Sequence, residues 1–325
     1  MSSPASQPSP LKGEGKLSIE IDMLAPGAER IVDKNPPLDV IARDVIFGEG
    51  PVWDARNKQL FFTDIIGDTI WKWKPRAGPK PLLRPSVKAN GLALDRENRL
   101  LVAGWGGRTV FRFEKNGSRT TLADRWEGKK LNSPNDIVVK SDGSIWFTDP
   151  PGGLLNVGMV GDDLQRYLDI QGVFRISPDG KAMTVATPGF IYPNGLCFSQ
   201  DEKLLYVNCS RERLIRVYDV SPDGSLGKGR LFHQYVSPER GVPDGMKCDA
   251  EGNVYCTGPG GIYVHDPAGK VLARIRTPGH HPTNIAWGDD DWRSLYITMI
   301  GSVVRTRLRI AGVPSTGTEP GFQLK

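Results

Sequence analysis

Carboxylate and carboxamide side chains recur in this chain where short hydrophobic strands should begin. Pro243-Asp244-Gly245-Met246 returns as Pro134-Asn135-Asp136-Ile137 and Pro193-Asn194-Gly195-Leu196, and more loosely as Gly48-Glu49-Gly50-Pro51. Their side chains are oxygen donors, and no His or Cys stands at an equivalent position. Such a set suits a hard cation such as Ca²⁺ better than a structural Zn²⁺. Asn, Asp and Gly also suit a turn entering a strand. The chemistry therefore depends on whether the fold gathers these copies in one place.

The spacing says that it does. Six segments share a polar residue, a short apolar strand, an Asp- or Gly-rich turn and a second apolar strand. They start at Glu49, Asn90, Asn135, Asn194, Asp244 and Asn284, at intervals of 41, 45, 59, 50 and 40 residues. Second strands such as Leu60-Phe-Phe-Thr63, Ile145-Trp-Phe-Thr148 and Leu295-Tyr-Ile-Thr298 are followed by alternating third strands such as Gly172-Val-Phe-Arg-Ile176. A period of this length is that of a four-stranded propeller blade.

The predicted fold is all-β: a single six-bladed β-propeller of antiparallel four-stranded blades spanning residues 17–312. The last strand ends near Arg309, too early to complete a sixth blade. Leu38 to Ala42 is therefore predicted to supply its outer strand, closing the ring and leaving no open edge. Residues 1–16, rich in Ser, Pro, Gly and Lys, read as a disordered leader, and residues 313–325 as a C-terminal tail. The longest interval carries its excess at Gly152 to Gln171, where Leu154, Leu155, Met159, Tyr167 and Leu168 favour an ordered lid.

Composition limits the classes of function. The 38 Gly and 26 Pro in 325 residues indicate many turns. The net charge of +5 is spread along the chain, so no nucleic-acid partner is expected. No apolar run reaches membrane-spanning length. Cys197, Cys209, Cys248 and Cys256 lie in apolar runs without Cys-x-x-Cys spacing, which fits buried thiols in a reduced, cytoplasmic protein.

In a propeller the inner strands line a central channel, so the six starting residues should ring one of its mouths. Two carboxylates, Glu49 and Asp244, would then face four carboxamides. Carboxylates brought together raise each other's pKa and cost stability unless a cation neutralises them.

Taken together, the motifs Gly48-Glu-Gly-Pro-Val-Trp53, Ser133-Pro-Asn-Asp136, Phe147-Thr-Asp-Pro-Pro151, Gln171-Gly-Val-Phe-Arg175, Pro193-Asn-Gly195 and Pro243-Asp-Gly-Met246 resemble those of the SMP-30/gluconolactonase/LRE family, in the same order. The resemblance implies a regucalcin-like six-bladed hydrolase of sugar lactones. It implies one divalent metal held by Glu49, Asn194 and Asp244, with Asn135 as fourth ligand or substrate contact. Ca²⁺ is the first choice of ion, with Zn²⁺, Mn²⁺, Mg²⁺ and Fe²⁺ as alternatives.

On that basis Asp244 is the expected general base and Asn135 the residue that orients the carbonyl or a sugar hydroxyl. Asn90, Asp149, Trp105, Tyr192 and His281 are candidate substrate contacts. No Gly-x-Ser-x-Gly elbow is present. A sugar lactone is the expected partner of a monomer or weak homo-oligomer. The alternatives are a fluorophosphatase-like hydrolase and a non-catalytic calcium-binding scaffold.

Overall fold

A computed structural model describes residues 18–315. Six antiparallel sheets stand around a central channel, each with its innermost strand toward the axis, and in the first five the next three strands follow outward in chain order. The inner strands are Gly48–Asp54, Ala89–Leu94, Ile137–Val139, Pro193–Phe198, Met246–Cys248 and Pro282–Gly288. Most of their residues are buried because the flanking blades cover both faces, so they read as apolar runs rather than alternating ones.

The ring closes as predicted. Leu38–Val45 pairs antiparallel with Gly301–Arg307, so the outer strand of blade six comes from the start of the described chain. One strand was not anticipated. Glu20–Met23 adds a fifth strand to blade five beside Val271–Arg276, where Arg274 and Arg276 each reach Asp22 at 2.8 Å. The predicted leader lies outside the described residues. Of the predicted tail, residues 313–315 fold back to the channel, with Val313 N–H donating to Cys248 O and the Ser315 hydroxyl to Trp53 O.

The blades are joined by a repeated polar contact. Thr63, Thr148 and Thr257, all on second strands, donate their hydroxyls to the carbonyls of Asn90, Asn194 and Thr283 on the inner strand of the next blade. The glycine after several starting residues has the same origin. A Cβ at Gly50, Gly91, Gly195 or Gly245 would strike the inner strand of the following blade, so close packing around the axis selects Gly there. All four cysteines are free and buried. No helix among the described residues is long and apolar enough to cross a membrane.

The predicted lid is an ordered segment. It opens with a helical turn at Gly152–Leu155 and is docked by side chains of neighbouring loops. Arg108 donates to the carbonyls of Asp163 and Gln165, Trp105 Nε1 donates to Met159 O at 3.0 Å, and Lys130 pairs with Asp163 at 2.6 Å.

Candidate active site

The inner strands place their starting residues at one mouth of the channel. In blades one, two and four the pairing with the second strand shifts register at Glu49/Val52, Ala89/Leu92 and Pro193/Leu196. A bulge of this kind re-aims a side chain, and here it lies at Glu49, Asn90 and Asn194. Glu49, Asn90, Asn135, Asn194 and Asp244 line a common cavity of about 500 Å³, walled by Phe47, Ile65, Trp105, Met159 and Tyr192. A second cavity, of about 530 Å³, opens over Val52, Ile137, Lys247 and Trp287 and contains none of the starting residues.

Burial and like charge dominate the electrostatics. Burial pushes the Glu49 carboxyl up to about 7, against hydrogen bonds from Gly50 N–H and Asn284 Nδ2, both at 2.9 Å. Asp244 is raised well above the ordinary carboxylate range by burial and then by the charges of Glu49 and Asp136, with Asn194 partly offsetting them. Asp136 is itself raised by burial, and Lys247 pulls it back.

The donor set fits a divalent cation. Asn194 Nδ2 donates to the Ser210 hydroxyl at 3.0 Å, which leaves Asn194 Oδ1 buried without a partner, and Asn90 Oδ1 is in the same state. Both hydrogen bonds to the Glu49 carboxylate fall on Oε2. Buried, mutually repelling carboxylates beside an orphaned amide oxygen are what a hard cation would relieve. No group of three His, Cys, Asp or Glu residues able to hold a metal occurs among the described residues, so the set depends on its amides.

Not every expected contact lies here. Asp149 is fully buried and does not line the cavity. Its two oxygens accept the Asn132 and Ser133 N–H groups at 2.8 Å each, and burial pushes its carboxyl up to about 7. Asp64, at the equivalent point of blade one, accepts the N–H groups of Ile46 and Phe47 in the same way. Asp149 is therefore a bracket for the chain entering blade three and lies outside the cavity wall. His281 is exposed and is absent from the cavity wall. Asn284, which completes the expected ring, also stays out of the cavity and holds Glu49 instead.

Trp105 and Tyr192 do form walls, and both also hold the inserted segment: the Tyr192 hydroxyl oxygen accepts Asn156 Nδ2 at 3.0 Å. Sequence reasoning missed Asn156, Ser210 and Arg211 as lining residues. Asn156 lies in the predicted lid, which was a usable signal. Ser210 and Arg211 follow a second strand, as Trp105 does, and no single residue type marks that point in every blade.

The family described as SMP-30/Gluconolactonase/LRE-like region matches residues 47–301. The chain is 33% identical to a gluconolactonase of Zymomonas mobilis subsp. mobilis, with 92% of this chain and 88% of that protein covered. It is 30% identical to a pentonolactonase of Haloferax volcanii, with 78% and 81% covered. A gluconolactonase structure from Xanthomonas campestris superposes with a TM-score of 0.81 at 30% identity, covering 94% of this chain and 99% of that one.

Proposed function

The chain belongs to the SMP-30/gluconolactonase/LRE-like family, and from that premise we propose that it is a lactonase that opens a sugar lactone to the aldonic acid with the help of one divalent metal ion. The observation that carries the reading is the meeting of the Glu49 and Asp244 carboxylates with the unpartnered Asn194 oxygen in one cavity. Two lactonases among the relatives, at 33% and 30% identity, support the reaction class.

Glu49, Asn194 and Asp244 would hold the ion, with Asn135 beside them. Bound there, a divalent cation supplies Lewis-acid polarisation of the lactone carbonyl. Ca²⁺ is the favoured ion because every donor is an oxygen. The rest of the reaction falls to the chain's own groups.

Asp244 takes a proton from water as the water oxygen bonds to the carbonyl carbon. The ring C–O bond then breaks, and the departing ring oxygen receives that proton from the Asp244 carboxyl. The two steps return Asp244 to its starting state and yield the aldonic acid. Asn135 orients the carbonyl or an adjacent hydroxyl through its carboxamide. Trp105 and Tyr192 offer ring surfaces to the C–H faces of the sugar, and the segment through Asn156 and Met159 shields the cavity from solvent.

A panel of five- and six-membered sugar lactones beside an organophosphate, read by proton release, tests the proposal. Turnover of the lactones alone supports it. Turnover of the organophosphate alone, or of neither, contradicts it.

A further inference from the structure

We propose that the site selects lactones bearing an anionic group on the carbon chain away from the ring carbonyl, and that Arg211 is the residue that selects them. The inference rests on the lactonase reading and adds the substrate class.

Arg211 follows strand Leu204–Cys209 and lines the cavity. Its guanidinium lies 5.8 Å from the centroid of the Tyr192 ring. It is exposed and makes no ion pair among the described residues. Of the neighbouring arginines, Arg213 also lines the cavity but is held by backbone carbonyls, and Arg216 does not line it. Arg213 donates to the carbonyls of Ser237, Glu239 and Gly241, and Arg216 pairs with Glu212 at 3.2 Å. Arg211 thus brings to the cavity a cation that no carboxylate among the described residues pairs with.

Arg211 shares the cavity with Glu49, Asn194 and Asp244. Tyr192 lines the same cavity, beside Arg211. Glu49, Asn194 and Asp244 would be taken up by the cation, so the charge in the cavity wall left to receive a substrate anion is that of Arg211. A lactone with its carbonyl at Asp244 would then present to Arg211 a group carried elsewhere on its carbon chain.

The hydrogen-bonding character beside Arg211 agrees. The Tyr192 oxygen already accepts from Asn156 Nδ2, so its own proton is the group left to donate. A phenol O–H and a guanidinium form a donor pair. A sugar hydroxyl both donates and accepts, whereas a phosphate or carboxylate only accepts and can engage both donors at once. The anionic group takes no part in bond making or breaking.

The test compares kcat and KM of the wild type, Arg211→Gln and Arg211→Lys, each with added Ca²⁺, on three substrates. These are D-glucono-1,5-lactone, its 6-phosphate, and D-glucaro-1,4-lactone, which carries a carboxylate. The wild type should prefer at least one anionic lactone over the neutral one. Arg211→Gln should lose about tenfold or more in kcat/KM on that substrate, mainly through KM, and stay within about twofold on the neutral lactone. Arg211→Lys should recover part of the loss, and added salt should raise the wild-type KM for the anionic substrate alone. Which anionic lactone is preferred distinguishes phosphate from carboxylate. Equal wild-type kcat/KM on charged and neutral lactones, or an equal fall on both in Arg211→Gln, overturns the inference. Turnover of no lactone by the wild type overturns the lactonase reading beneath it.

Discussion

Asn284 Nδ2 donates to Glu49 Oε2 at 2.9 Å, joining the inner strand of blade six to that of blade one. The two residues are 235 positions apart in sequence, and ring closure brings them together. The bond leaves Asn284 outside the cavity and fixes the carboxylate of Glu49 within it. Partners that orient a metal ligand typically contribute 10- to 100-fold to metal affinity. Asn284→Ala should therefore keep its circular-dichroism spectrum and bind Ca²⁺ about tenfold or more weakly by calorimetry. Unchanged affinity would remove Asn284 from the site.

Asp149 and Asp64 do the same structural work in blades three and one, each accepting two consecutive backbone N–H groups. Asp149→Asn turns one acceptor oxygen into a donor facing a buried N–H. The expected loss is about 1–3 kcal/mol of stability, read from urea unfolding. Near-normal kcat in the fraction that remains folded should accompany it. A stable variant with lost activity would return Asp149 to the catalytic account.

The contrast between these residues shows what was legible in the sequence. The repeat of strand, turn and strand is local and recurs at each blade, so six blades and the closing strand at Leu38 could be read directly. Which copies of the Asn/Asp motif open on the cavity could not. Asn90 and Asn284 look alike in sequence, yet Asn90 lines the cavity and Asn284 serves Glu49, because the neighbouring blade decides. Asp149 was ambiguous for the same reason, since its partners are backbone N–H groups 16 and 17 residues upstream, which no side-chain type announces. The strand Glu20–Met23 is held by Asp22 to Arg274 and Arg276, a pairing that no period announces.

Gly152 begins the inserted segment against two cavity walls. A Cβ there would strike the Tyr192 hydroxyl and the Trp105 ring. Gly152→Ala should displace one of them and lower kcat/KM between about tenfold and 100-fold, while the melting temperature changes little. Wild-type kinetics in this variant would show that the segment does not shape the substrate site.

The buried carboxylates give metal-free protein a definite pH dependence. Glu49 is pushed up to about 7 and Asp136 and Asp244 are raised, so each has a folded pKa above its unfolded one. The folded chain then holds protons that the unfolded chain has released. Their contribution is most favourable below the unfolded values near 4 and is lost as pH rises through their raised folded values, which for Glu49 is about 7. In EDTA the melting temperature should fall between pH 5 and pH 8, and Ca²⁺ should restore more of it at pH 8 than at pH 5. Equal Ca²⁺ shifts at both pH values would contradict this linkage.

Asp244→Asn is the most direct test of the central claim. The substitution keeps an amide oxygen in the cavity and removes the group that would take the proton from water. The variant and the wild type, each supplied with excess Ca²⁺, are to be compared in a pH-stat assay on D-glucono-1,5-lactone. Metal content and melting curves of the same samples are measured alongside. The account predicts a folded, metal-containing variant with kcat lowered at least about 100-fold. A folded, metal-containing Asp244→Asn protein with wild-type turnover would contradict it.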